Sequence, residues 1–483
     1  MSRQAAGYYV HFGVALIAAG VLYLGFGVDR TQSTELLGVY TLSFLGYFTI
    51  LRYAERGSWK RLLGIGILMR VALVFAFPLL SDDVYRFLWD GHLINAGNNP
   101  FAELPAFYLQ EGVPEVAGID QALFDKLNSP DYYTIYPPVA QAVFTVATWI
   151  SPGSWYWAAV VMKVFLLLCE LGTGYLLYSM GEGLQARPWN AGDTPKAEAP
   201  VPLVGTKQKA KTPSRTAGSG LEALTQRGGV NPIVYWLNPL IIIEITGNLH
   251  FEGAMVFFLL LAYQLLTQNK IARAGLAMAA SVASKLLPLL LLPYLIRRLW
   301  GRPFWRFSFA IGGALLLFFA PLLAAGFLEG FGSSLDLYFR KFEFNASLYY
   351  LARAYGYYNV GWNQIATFGP ALAKFAAVFI LVLALLDGRS NWRSLPEGWL
   401  FAFVIYLVCA TTVHPWYLSI PILLCCFTHW RFPLLWSFLI TLTYVSYNTV
   451  PYQENLWIVA LEYTAVVAFA LWEWRRRPQS KLA

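Results

Sequence analysis

Charge is scarce in this chain. Lys, Arg, Asp and Glu make up 13% of its 483 residues, about half the ~25% of a soluble globular protein. With 57% hydrophobic residues and a mean hydropathy of +0.50, that scarcity excludes a soluble domain and leaves an all-α polytopic membrane protein. Cysteine is nearly missing: Cys169, Cys409, Cys425 and Cys426 all fall in apolar segments, which argues against a disulfide framework. No internal repeat is present. No basic run suits nucleic acid, because the net charge of +8 is spread in short clusters between apolar runs, the positive-inside pattern. The first apolar run, Tyr8 to Val28, lacks a small-residue cleavage site and reads as a retained helix.

Aromatics are what the chain has in excess, at 17% with 18 Trp and 29 Tyr. They suit membrane interfaces and sugar- or lipid-lined cavities alike. The basic clusters set the expected topology. Arg52, Arg56, Lys60 and Arg61 are cytoplasmic, as are Lys270 with Arg273, the group from Arg297 to Arg306, Arg389 with Arg393, Arg431 and the tail Arg475 to Arg477. Four regions follow: 1–60, two N-terminal helices; 61–186, a helix, an extracytoplasmic loop at 81–136 and further helices; 187–229, a basic cytoplasmic linker too polar to fold; and 230–483, the remaining bundle. The expected total is about 11–13 transmembrane helices. The run Gly275 to Ile296 has cytoplasmic charge at both ends, so it is expected to turn around at Ser284-Lys285-Leu286-Leu287-Pro288, where Pro288 lacks a backbone donor. Lys285 would then line a wet cavity. The stretch 137–150 reads as a short interfacial or re-entrant helix.

Polar islands interrupt this scaffold on the outer side. The apolar run Leu62 to Leu80 breaks into Asp82 and Asp83, and ionisable groups at such a place are costly without a role. On a helix, Asp82, Arg86 and Asp90 would share one face as a plain salt-bridge ladder; an acid pair at a helix end suggests a catalytic or metal-binding role besides. Tyr136-Pro137-Pro138 would start a helix or floor a groove. Asn248, His250 and Glu252 form a second island, and Arg340 and Arg353 a third, where cations run against the positive-inside bias and an anionic phosphate is the natural ligand. His414-Pro415-Trp416-Tyr417 is a fourth. A base for an incoming hydroxyl and cations for a leaving phosphate would suffice for group transfer.

The order of these motifs resembles the GT-C superfamily of membrane glycosyltransferases: the acid pair, Tyr136-Pro137-Pro138, Trp236-Leu237-Asn238-Pro239-Leu240, Gly247-Asn248, the Lys285/Pro288 break, Phe344-Asn345-Ala346-Ser347 and Trp416-Tyr417. It is most similar to polyprenyl-phosphate-mannose-dependent mannosyltransferases, including the first one of glycosylphosphatidylinositol (GPI) anchor assembly. The resemblance implies a GT-C-type bundle and inverting transfer of a sugar, mannose by proximity, from a polyprenyl-phosphate donor to a glycolipid or glycan acceptor. Asp82 or Asp83 would be the base or help hold a divalent cation, Mg or Mn. Lys285, Arg340 and Arg353 would bind the donor phosphate; His250, Glu252, Asn248, His414, Tyr417 and Tyr136 would complete the substrate site. Relatives often carry Asp-x-Asp where this chain has adjacent acids.

Two other readings remain open. A transporter or flippase of a lipid-linked saccharide also uses broken helices and midplane charge, but the large outer loop and lack of a repeat disfavour it. A membrane assembly protein without catalysis would be expected to spread polar islands over both faces. Short loops point to a prokaryotic plasma membrane with the site on its extracytoplasmic face.

Overall fold

The computed structural model describes residues 3–186, 230–323, 327–449 and 452–476; the linker expected at 187–229 lies outside them. Among the described residues the chain is helical throughout, with one isolated bridge between Phe344 and Thr412 and no strand. That follows from solvent: in hydrocarbon every backbone N–H and C=O must be paired within the segment.

Among the described residues, six helices are long and apolar enough to cross a membrane. They include α1 (Arg3–Gly27), α2 (Ser33–Tyr53), α6 (Trp155–Ala186), α9 (Arg302–Phe319), α12 (Ile365–Leu386) and α14 (Leu456–Arg476). A seventh forms if Pro239–Gly247 and α7 (Glu252–Thr267) are one broken span, bent by 114°. The chain is thus an integral membrane protein. The expected count was about 11–13 spans. Much of the bundle is instead built from shorter pieces: α3 (Trp59–Val74), α4 (Asp83–Asn95), α5 (Pro138–Ile150), α8 (Ile271–Ser284), α10 (Phe327–Arg340), α11 (Leu348–Val360) and α13 (Leu395–Cys409).

Pro137 and Pro138 start α5, as a proline at the first helical position should. Its buried face of Ala140, Phe144 and Ala147 packs on α4. Gly91 makes that approach possible, since a Cβ there would stand 2.5 Å from the Phe144 carbonyl oxygen. The opposite face exposes Val146, Trp149 and Ile150. α8 stops at Ser284, Lys285 is extended (φ −156°, ψ 140°), and a 3-10 turn follows at Leu287–Leu291. The expected break is there.

Ions inside the bundle tie its parts together. Arg70 of α3 and Glu170 of α6 pair at 2.9 Å with both side chains fully buried. Arg70 also lies over the Trp236 ring, and the Tyr235 hydroxyl donates to Glu170. Lys163 of α6 donates to the carbonyls of Leu73, Ala76 and Gly247 at 3.2, 2.5 and 2.6 Å. It thereby ends α3 and anchors the Gly247-Asn248 turn with one side chain.

The two ends of α12 separate the faces. Before its start, Asn363 donates to Glu343; at its finish, Asp387 pairs with Arg298 and Arg389. Twenty-two residues put those groups roughly 33 Å apart, the thickness of a hydrocarbon core. Glu343 belongs to the end that carries the polar islands, and Arg298 and Arg389 to the basic end.

Candidate functional site

Three of the four islands meet at one polar crevice between helix ends, through three turns that the sequence shapes differently. In the first, the acid pair splits. Asp82 pairs with Arg30, which reaches over from the α1–α2 turn and lies above the Tyr447 ring. Asp83 faces inward, where it accepts hydrogen bonds from Asn128 (2.8 Å) and Tyr136. Burial raises its carboxyl above the usual carboxylate range, against the pull of Lys285, Asn128 and Tyr136. The expected Asp82–Arg86–Asp90 ladder is therefore only half present. Arg86 pairs with Asp90 at 2.9 Å, buried, and holds the Ser129 and Tyr132 carbonyls, fixing the outer loop to α4.

The second turn is Ile242–Gly247, wound as a π-helix, followed by Leu249 at φ +65°. A bulky residue in that region is strained, and both features collect at functional sites. The Asn248 side-chain oxygen accepts from the Leu80 N–H at 3.1 Å, which ties this turn to the first. His250 Nδ1 contacts the Glu244 carbonyl oxygen at 2.8 Å. Glu252 is fully buried and pairs with Lys285 at 2.7 Å.

The third is His414 to Tyr417. Trp416 lies between two imidazoles, His250 at 3.7 Å and His414 at 4.5 Å between ring centroids. The Tyr417 ring sits 5.7 Å from the Lys285 ammonium. Phe344 closes the wall, its ring 4.7 Å from His414 and its backbone bonded to Thr411 and Val413.

Arg340 and Arg353 do not enter this crevice. Arg340 is exposed and paired with Asp336 at 2.6 Å. Arg353 is paired with Glu343, over the Tyr350 ring. The expected phosphate-binding set is thus reduced to Lys285, itself matched by Glu252. The acid pair does not suit a divalent cation, because its carboxylates diverge and Asp82 is engaged by Arg30. Among the described residues no three His, Cys, Asp or Glu side chains are grouped to hold a metal.

Glu244, Arg30, Asn128 and Lys163 were not among the expected site residues. Glu244 had a visible signal, as a carboxylate inside Ile241-Ile242-Ile243-Glu244-Ile245. Its Oε1 accepts from Tyr40 (3.2 Å) and Tyr444 (2.7 Å).

A model of the GPI transamidase subunit PIG-U matches residues 132–386, just over half of the chain. The chain belongs to the PIG-U family. A search of curated proteins gives no match. The PIG-U match covers Tyr136, Asn248, His250, Glu252, Lys285, Arg340 and Arg353, while the acid pair and His414 to Tyr417 lie outside it.

This overturns the glycosyltransferase reading. A PIG-U protein is a transamidase subunit, so sugar transfer, a mannosyltransferase activity, a polyprenyl-phosphate donor and the flippase alternative all fall. The reason is physical. Prolines, glycines, amides and acids at helix ends report where a membrane bundle breaks and turns; they do not specify a reaction. The family also lends no support to a prokaryotic plasma membrane.

Proposed function

We propose that this PIG-U protein is a binding subunit of a membrane transamidase assembly and holds the head group of a glycosylphosphatidylinositol lipid in the crevice. The observation that carries this reading is the convergence of Asp83, Glu252–Lys285 and the His250–Trp416–His414 stack at one end of an otherwise apolar bundle. Aromatic faces with nearby acids and amides suit a sugar, and the surrounding helices suit acyl chains. The crevice faces away from the cytoplasm, because Arg298, Arg389 and their cluster occupy the other end of α12.

Binding, with chemistry left to another subunit, fits the residues. All four cysteines are buried in apolar packing, whereas a nucleophilic thiol needs exposure and an electropositive neighbour. The partners are then protein subunits and the glycolipid.

The test is native mass spectrometry of the protein in nanodiscs, with a glycosylated phosphatidylinositol competing against plain phosphatidylinositol. Preferential retention of the glycosylated lipid, weakened by Trp416→Ala, is the expected result. Equal retention of both lipids would sink the reading.

A further inference from the structure

Hydrogen-bonding capacity and charge in the crevice are both lopsided. Four cations around it are each matched by an acid, Arg30 with Asp82, Arg86 with Asp90, Arg353 with Glu343 and Lys285 with Glu252, and Lys163 is taken up by three backbone carbonyls. Asp83 is left over. Its hydrogen-bond donors, Asn128 and Tyr136, are neutral, and it lies in the field of both Lys285 and Glu252. Deeper in, Glu244 accepts from the Tyr40 and Tyr444 hydroxyls, and its other oxygen lies 3.4 Å from His250 Nδ1. The acids here exceed the cations paired with them, so an anionic ligand would meet like charge and a cationic one opposite charge.

His250 gives an independent indication. Its Nδ1 faces the Glu244 carbonyl oxygen, which can only accept, so Nδ1 carries the proton and Nε2 presents a bare lone pair. The residue is 1% exposed, and Nε2 has no partner. Glu252 Oε2, the oxygen not paired with Lys285, is also without a hydrogen bond. Three acceptors in this cluster, Asp83, Glu252 and His250 Nε2, want a ligand group that donates several hydrogen bonds and carries positive charge. The faces of Trp416 and Tyr417 beside them favour a cation further.

We infer that the crevice is an ammonium site: it recognises a lipid head group bearing a free primary amine, between Asp83, Glu252, His250 and the Trp416–Tyr417 wall. This rests on the head-group reading above and narrows it. The amine has two chemical sources, an amino sugar on a glycolipid or the ethanolamine of a phospholipid.

The experiment measures binding to the full-length protein in phosphatidylcholine nanodiscs. The probes are glucosaminyl-phosphatidylinositol, its N-acetylated form, phosphatidylethanolamine and N-acetyl-phosphatidylethanolamine. Acetylation removes the charge and leaves a single N–H. The free amino sugar should bind about tenfold more tightly than its acetylated form. Asp83→Asn, with Tyr136→Phe as a gentler variant, should shrink that ratio by weakening binding of the free amine more than that of the acetylated lipid. Equal binding of both glycolipids overturns the ammonium site and spares the head-group reading. Preference for phosphatidylethanolamine over every glycolipid keeps the ammonium site and removes the glycolipid. A ratio untouched by Asp83→Asn overturns the assignment to Asp83. No binding above the phosphatidylcholine background overturns both.

Discussion

Asp82 and Asp83, neighbours in the chain, belong to different networks. Asp82 joins Arg30 at the rim, while Asp83 joins Asn128 and Tyr136 inside. A residue apart in sequence, one carboxylate closes the N-terminal hairpin over the bundle and the other faces the crevice.

The two are therefore separable by mutation. Asp82→Asn loosens a part-exposed ion pair and should lower stability by only about 0.5–1 kcal/mol, with head-group binding kept. Asp83→Asn should leave the melting temperature nearly unchanged and weaken binding. Thermal melts and binding isotherms on both variants check this.

Lys285 and Glu252 should behave as a unit. Lys285→Met leaves Glu252 buried without its cation, which costs about 3 kcal/mol. Adding Glu252→Gln removes the orphaned charge and should recover much of that loss. A double-mutant cycle by denaturant unfolding in detergent measures the coupling; additive single losses would mean that the 2.7 Å pair contributes no coupling.

Trp416 should matter for binding more than for folding. Trp416→Ala removes the ring between His250 and His414 and should weaken head-group binding about tenfold, for roughly 1 kcal/mol of stability. Trp416→Phe keeps a face and should retain most of the affinity. The comparison is made on head-group binding isotherms, with melting to check the fold.

Glu454 makes stability depend on pH. Burial pushes its carboxyl up to about 7 from 4.5, although the Asn345 N–H at 2.6 Å pulls it down. Because the folded value is raised, the unfolded chain ionises first as pH rises. This group's contribution is then complete below about pH 4.5 and is lost progressively up to about 7. Melting should be higher at pH 5 than at pH 8, and Glu454→Gln should narrow that difference.

Much of the scaffold was legible because lipid leaves few choices. The α1–α2 hairpin, the short helix at 138–150 and the break at Lys285 followed from run length, proline position and basic clusters. Which polar residues come together was legible in part. Asp83, Asn248, His250, Glu252, Lys285, His414 and Tyr417 meet, as their spacing along one face suggested. Arg340 and Arg353 were misread because their partners, Asp336 and Glu343, are set by helical register and the fold of the 341–347 turn. Most of the polar islands gather on one face, as an enzyme's would, yet the family is that of a transamidase subunit; clustering alone does not specify a reaction.

The sequence by itself determined that this protein is a helical membrane bundle with one basic end and polar breaks near the other, because hydropathy and charge act locally along the chain. Only the tertiary structure decided which ions meet. Arg70 finds Glu170 across 100 residues, Tyr40 finds Glu244 across 204, and Asp82 turns to Arg30 while Asp83 turns inward. Pairing of buried charge depends on distances between helices packed from remote segments, and no local pattern encodes them.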